Sequence, residues 1–195
     1  DTRACLIQWM IQVHMWMHIP TETLHVAVGL MDLYTYLRPI TSQEYQLLAL
    51  AVIRLAAYDR PPEITISRKR LCALAMDAYT PAQLQNMEEA LEACVGNRIN
   101  FPTPYTYMEH YVMGVSEFSS AKIKWAINLC KYFFDLGLCQ VDLCQYSASL
   151  RCAGVLYLIR RMLGPGHSTG YRGDLCLRNP WPTLMEKYTG HKETA

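Results

Sequence analysis

The sequence predicts an all-α protein, on three observations. Apolar residues recur at three- and four-residue spacing through long stretches, with the prolines falling between those stretches or at their starts. Two Thr-initiated capping boxes, Thr41 to Glu44 and Thr80 to Gln83, stand where helices should begin. One segment, Thr41 to Tyr58, is apolar on every face, and a helix with no water side must be enclosed by others. Within it Leu47, Leu48, Leu50, Val52, Ile53 and Leu55 go right round the helical wheel, while Ala49, Ala51, Ala56 and Ala57 allow close approach. With Arg54 inside it, the segment is too short and too charged for a membrane span, which needs about 20 apolar residues. It is the expected hub of a helical globule.

In chain order, Leu6, Ile7, Met10, Ile11, Val13 and Met17 keep a helical period from Arg3 to Met17, and Pro20 ends that element. Thr21 is expected to cap a second helix, Glu22 to Leu37, with a buried stripe of Leu24, Val28, Met31 and Tyr34 or Thr35. The hub follows, and the run Arg60-Pro61-Pro62-Glu63 stops it. Ile64 to Arg70 reads as loop, with Arg68-Lys69-Arg70 a solvated basic cluster, before a short helix from Leu71 to Asp77. Helix five is expected over 81–95, with Pro81 at its favoured first position and Gly96 as its left-handed terminator. Its inward face is Leu84, Met87, Leu91 and Val95, which leaves Glu88 half inside at the edge.

After Pro102-Thr103-Pro104 the pattern restarts, with helices expected near 104–113, 120–136, 148–163 and Trp181–Tyr188 and a loop from Gly164 to Pro180. A domain boundary is placed at about residue 100. Leu30-Met31-Asp32-Leu33 before the hub and Phe133-Phe134-Asp135-Leu136 before Ser149–Met162 echo one another, so the halves read as divergent repeats of one helical unit, the second shorter.

Composition narrows the function. A content of 51% hydrophobic and 18% charged residues supports a sizeable core, and a net charge of +1 gives no footprint for nucleic acid or an anionic membrane. The eight cysteines lie mostly in apolar helical runs without a CxxC pair, which favours reduced core thiols. The start at Asp1 without a methionine reads as a fragment of a longer chain.

No chemistry-bearing motif stands out. His14 and His18 share a helical face but lack a third metal ligand, and Cys130, Cys139, Cys144 and Cys152 lack paired zinc spacing. Gly164 to Gly170 follows a helix and lacks the Gly-Lys-Ser/Thr ending of a phosphate cradle. Arg172-Gly173-Asp174 is a short match of the kind chance supplies, and no nucleophile has a recognisable base beside it. An enzyme is therefore not expected, nor any metal or other cofactor.

The order of these elements, with the residues on them, resembles a cyclin of the mitotic A/B type. Thr2-Arg3-Ala4-Cys5-Leu6-Ile7-Gln8-Trp9-Met10-Ile11-Gln12-Val13 is similar to the opening of a cyclin box. Glu22 to Val28 with Asp32, Gln46-Leu47-Leu48, Ala78-Tyr79-Thr80 with Met87-Glu88, and Pro102-Thr103 are similar to the following segments. Phe134 to Leu138, Ser149 and Trp181-Pro182-Thr183-Leu184 resemble the C-terminal box. The resemblance implies two helical bundles, an N-terminal cyclin box over 1–100 and a partial, truncated C-terminal box over 101–195, each wrapped around its third helix. It also implies a structural salt bridge between Arg3 and Asp32.

The implied function is binding and activation of a cyclin-dependent or similar kinase through helices three and five, as a regulatory subunit in the nucleus, the cytoplasm or both. The alternative is a cyclin-fold adaptor that binds protein partners without activating a kinase. In the family a lysine ending helix three and a glutamate on helix five anchor the kinase. Glu88 stands at the glutamate's position, but Tyr58 replaces the lysine, Arg60 an acidic residue and Glu92 a leucine. Arg54, one turn before Tyr58, is expected to reach the vacated place. Asp59 and Ile99 complete the implied kinase-binding set. A second implied surface docks Arg-x-Leu peptides through Leu6, Trp9, Gln12, Tyr45 and Gln46. Thr2, Cys5, Gln12 and Tyr45 depart from the family pattern there and weaken it. Neither nucleic acid nor membrane is an implied partner.

Overall fold

The computed structural model describes residues 2–58, 65–99, 101–114, 120–162 and 181–193, less the side chains of 97, 98 and 120–122. Among these the secondary structure is entirely helical, in two compact units, Asp1–Phe101 and Pro102–Ala195.

The first unit contains α1 (Thr2–Trp16), α2 (Thr21–Leu37), α3 (Tyr45–Tyr58), α4 (Arg68–Leu74) and α5 (Pro81–Val95), then a 3₁₀ turn, Gly96–Ile99. Helix α3 is the hub. Ten of its fourteen residues are buried, and it packs against α1, α2 and α5. Ahead of it the Thr41 amide and hydroxyl both donate to Glu44 Oε2 at 2.8 Å, which holds that carboxyl below its usual range. Helix α5 has its complete capping box: Gln83 N donates to Thr80 Oγ1, and Thr80 N donates to Gln83 Oε1. Gly96 then takes φ +54°, a backbone that side-chain-bearing residues avoid.

Four expectations change here. Helix α3 begins at Tyr45 rather than directly after Thr41, and residues 42–44 form a turn ahead of it. Pro20 rather than Thr21 precedes α2, and no side chain caps that end. Helix α4 begins at Arg68, not Leu71, because Ser67 Oγ accepts the Arg70 amide and starts the turn within the stretch read as loop. It ends at Leu74, ahead of two positive-φ residues, Met76 and Asp77. The prolines 61 and 62 and the loop Gly164 to Pro180, with the glycine-rich and Arg-Gly-Asp stretches, lie outside the described residues.

The second unit holds α6 (Pro104–Met113), α7 (Ser120–Leu138), a 3₁₀ turn at Val141–Gln145, α8 (Ala148–Met162) and α9 (Thr183–Thr189). The last helix starts at Thr183 rather than Trp181, since Pro182 stands at its N-cap. Trp181 is instead a core residue whose Nε1 donates to the His191 carbonyl at 2.9 Å. The core it belongs to includes Met108, Val112, Phe134, Leu156, Ile159 and Met185.

The internal echo has a physical counterpart. Arg3, second residue of α1, forks both oxygens of Asp32 on α2 at 2.8 Å. Tyr105, second residue of α6, donates to Asp135 on α7 at 3.3 Å. The separations, 29 and 30 residues, are nearly equal, so each unit ties its first helix to an aspartate near the end of its second.

The thiols divide by depth. Cys72, Cys130 and Cys152 are buried, as expected of core thiols, whereas Cys5 and Cys144 are exposed. Burial pushes the Cys130 thiol up to about 12, and raises Cys152 further with Cys130 beside it. Unfolded thiols ionise near pH 9 while these stay protonated, so their stabilising contribution is complete below pH 9 and is lost as pH rises toward 12. Stability should fall by about 1.4 kcal/mol per pH unit for each thiol over that window. Urea unfolding at several alkaline pH values, for the parent and Cys130→Ala, checks this; equal slopes for the two would contradict it.

Candidate functional site

The apolar hub exposes little. Of α3, only Tyr45, Gln46, Arg54 and Tyr58 are not buried, two near its start and two near its end. The two pairs lie about 12 Å apart along the axis, from Gln46 to Arg54 at 1.5 Å per residue. Each belongs to a different implied surface.

At the C-terminal end, Arg54 leaves α3 beside α5 and meets Glu88. Its Nη1 donates to Glu88 Oε2 at 2.8 Å, and its Nε donates to the Ile66 carbonyl at 3.0 Å. Arg68, from the first turn of α4, adds two bonds to the same oxygen, Nε at 3.0 Å and Nη2 at 2.7 Å. Three donors thus converge on one carboxylate oxygen from elements 34 and 20 residues away in sequence. Glu88 is 4% exposed rather than half out, because the two guanidiniums roof it over. Its other oxygen, Oε1, is buried with no hydrogen-bond partner.

Arg68 is the residue that sequence reasoning missed. Basic residues at the start of a short helix read as a solvated cluster, and only the α4–α5 contact shows one turned inward. Its neighbour Arg70 does remain outside, stacked at 5.3 Å over the exposed Trp16 ring. Cys72, behind Arg68 on α4, has its thiol raised by burial first and then by the Asp77 and Glu88 carboxylates.

The other residues of the implied kinase-binding set are dispersed around this cluster. Tyr58 is 61% exposed at the last residue of α3 and joins neither arginine nor Glu88 in a hydrogen bond. Glu92 is exposed one turn beyond Glu88 on α5, and Ile99 is half-buried at the end of the 3₁₀ turn. Asp59 and Arg60 lie outside the described residues.

The second surface draws on two packed helices. Leu6 and Trp9 are half-buried and Gln12 exposed on α1, while Tyr45 and Gln46 are half-buried at the start of α3. No carboxylate belongs to this set, so it offers amides and apolar faces rather than a counter-charge.

His14 is buried, with Nδ1 at 2.6 Å from the Ile11 carbonyl; His18 is exposed at a positive φ. Among the described residues no group of three or more His, Cys, Asp or Glu could hold a metal ion. No described helix is long and apolar enough to cross a membrane.

The model of the cyclin N-terminal domain matches residues 1–94, and that of the cyclin C-terminal domain matches residues 102–195. A putative cyclin-B3-1 of Arabidopsis thaliana is 32% identical over 96% of the chain, and the G2/mitotic-specific cyclin-B2 of Homo sapiens is 26% identical over 98%. The chain covers 43% of the length of each of these relatives. Among solved structures, a viral cyclin from herpesvirus saimiri aligns with a TM-score of 0.78 at 17% identity, over 98% of this chain and 78% of that one. The all-helical fold with two cyclin-box domains is thereby shown.

Proposed function

The chain belongs to the cyclin family, and from that premise we propose that it is a regulatory subunit, not itself an enzyme, that binds and activates a cyclin-dependent or similar protein kinase. The binding face is the open side of α3 and α5. One observation carries this reading: Glu88 Oε1 is a buried acceptor with no donor. Leaving such a group unpaired costs about 1–3 kcal/mol, a cost that a partner's backbone N–H laid over α5 removes on binding.

Arg54 takes the electrostatic place of the family's lysine. It reaches Glu88 from one turn earlier in α3, whereas Tyr58, at the lysine's position, points its ring to solvent. Tyr58, Glu92 and Ile99 form the rim, where altered charge changes which kinase fits more than whether one fits; Asp59 and Arg60 follow Tyr58 in sequence. Leu6, Trp9, Gln12, Tyr45 and Gln46 serve as the peptide-docking surface, with a preference for the apolar part of an Arg-x-Leu motif over its arginine.

The second reading, an adaptor that activates no kinase, is favoured by the exposed Tyr58. Affinity purification of the full-length protein from its own cells, with a kinase assay on what copurifies, separates the two. A copurified and active kinase is expected; no kinase, or an inactive one, would favour the adaptor.

Arg54→Ala supplies the sharper test of the substitution. It removes one charge-assisted bond to Glu88 and leaves the Ile66 carbonyl without its donor. Affinity for the copurified kinase is expected to fall by about tenfold, read by calorimetric titration. Unchanged affinity would remove Arg54 from the binding face.

A further inference from the structure

We infer that the Arg54–Glu88–Arg68 cluster receives a carboxylate side chain from the protein that covers it, so that the partner's recognised residue is an Asp or Glu. The inference rests on the kinase-binding reading above and names the chemistry that this face selects.

Two guanidiniums share one carboxylate, so the cluster carries one net positive charge. Both arginines spend only part of their donors inside the chain. Arg54 uses Nε and Nη1, Arg68 uses Nε and Nη2, and all three bonds to Glu88 fall on Oε2. Among the described residues Arg54 Nη2 and Arg68 Nη1 have no acceptor, and the side chains are 25% and 34% exposed. A second, independent feature marks the place as unfinished: Glu88 Oε1, on a side chain only 5% exposed, has no donor.

A half-buried face that presents two guanidinium edges and one carboxylate oxygen without partners among the described residues fits a partner that brings an acceptor and a donor together. A carboxylate supplies the acceptor in the planar geometry that guanidinium matches, and a backbone N–H supplies the donor. A phosphate fits less well. Its two charges would exceed the single net charge available and would be repelled by Glu88. A lysine-bearing partner is excluded by the same charges, which gives the face a repulsive as well as an attractive element.

The test uses the full-length protein and the kinase recovered with it. Each Asp or Glu on the kinase's bound face is changed to its amide, and affinity is measured against the parent protein and against Arg68→Gln. One such change is expected to weaken parent binding by about tenfold or more, and to cost nothing further once Arg68 is Gln. Arg68→Lys, which keeps charge but loses the fork, should fall between, and thermal melting of each variant reports whether it is folded. If a kinase binds and no carboxylate couples to Arg68, this inference is overturned while the kinase-binding reading stands. If phosphatase treatment of the kinase, rather than any carboxylate change, removes the coupling, a phosphate is the ligand and the inference is again overturned. Recovery of no kinase at all overturns both.

Discussion

Leu50→Ala is expected to lower the stability of the first unit by about 2–5 kcal/mol, seen as a fall in the urea midpoint with an unchanged slope. Leu50 is fully buried at the middle of α3, which packs against three other helices, so the cavity left by its removal has walls on every side. Walls held in a packed helical bundle relax only partly, which puts this fully buried site toward the costly end of the range. Leu50→Met, nearly equal in volume, should cost less than about 1.5 kcal/mol. Tyr45→Ala, on the same helix but half-buried, should cost less than Leu50→Ala. A Leu50→Ala penalty under about 1 kcal/mol would mean that α3 is not the structural centre of the unit.

That hub was legible because nothing about it depends on a distant residue. A segment apolar on all faces can only be enclosed, and the caps at Thr80 and Gln83 and the proline at the start of α5 are local chemistry. The echo of the two aspartate-bearing stretches was also readable along the chain, but the Arg3–Asp32 pair came only with the family resemblance and the Tyr105–Asp135 bond only with the fold. Helix α4 was not legible. Arg68, Lys69 and Arg70 put three cations in its first turn, at the positive end of the helix dipole, and a local reading therefore gives loop. Ser67 caps that turn, Glu88 takes Arg68, and the Trp16 ring takes Arg70, so two tertiary contacts outweigh the local cost. Glu88 was placed on the correct edge of α5, but its burial was not legible, because the groups that neutralise it come from α3 and α4.

Glu88→Gln should preserve the fold and abolish kinase binding, a loss of more than about a hundredfold. The reason lies in how the carboxylate is held. Three N–H donors converge on Oε2 and none on Oε1, so an amide at this position must turn its oxygen toward the arginines. Its NH₂ group then occupies the place of Oε1, and a donor faces the N–H that the partner presents. Binding meets a repulsion in place of a hydrogen bond, although the side chain has kept its shape. Within the chain the bonds to Arg54 and Arg68 survive with less charge, and since both guanidiniums reach solvent the stability loss should be only about 1 kcal/mol. Glu88→Ala leaves two like charges facing an empty place and should cost about 1–3 kcal/mol, less than a fully buried pair would. The two variants therefore separate folding from recognition: Ala lowers both, while Gln lowers recognition far more than stability. Circular dichroism melts with titration of the copurified kinase read the two quantities independently. If Glu88→Gln bound the kinase as tightly as the parent, Oε1 would not be the anchor, and the contact would have to rest on the arginines and the rim.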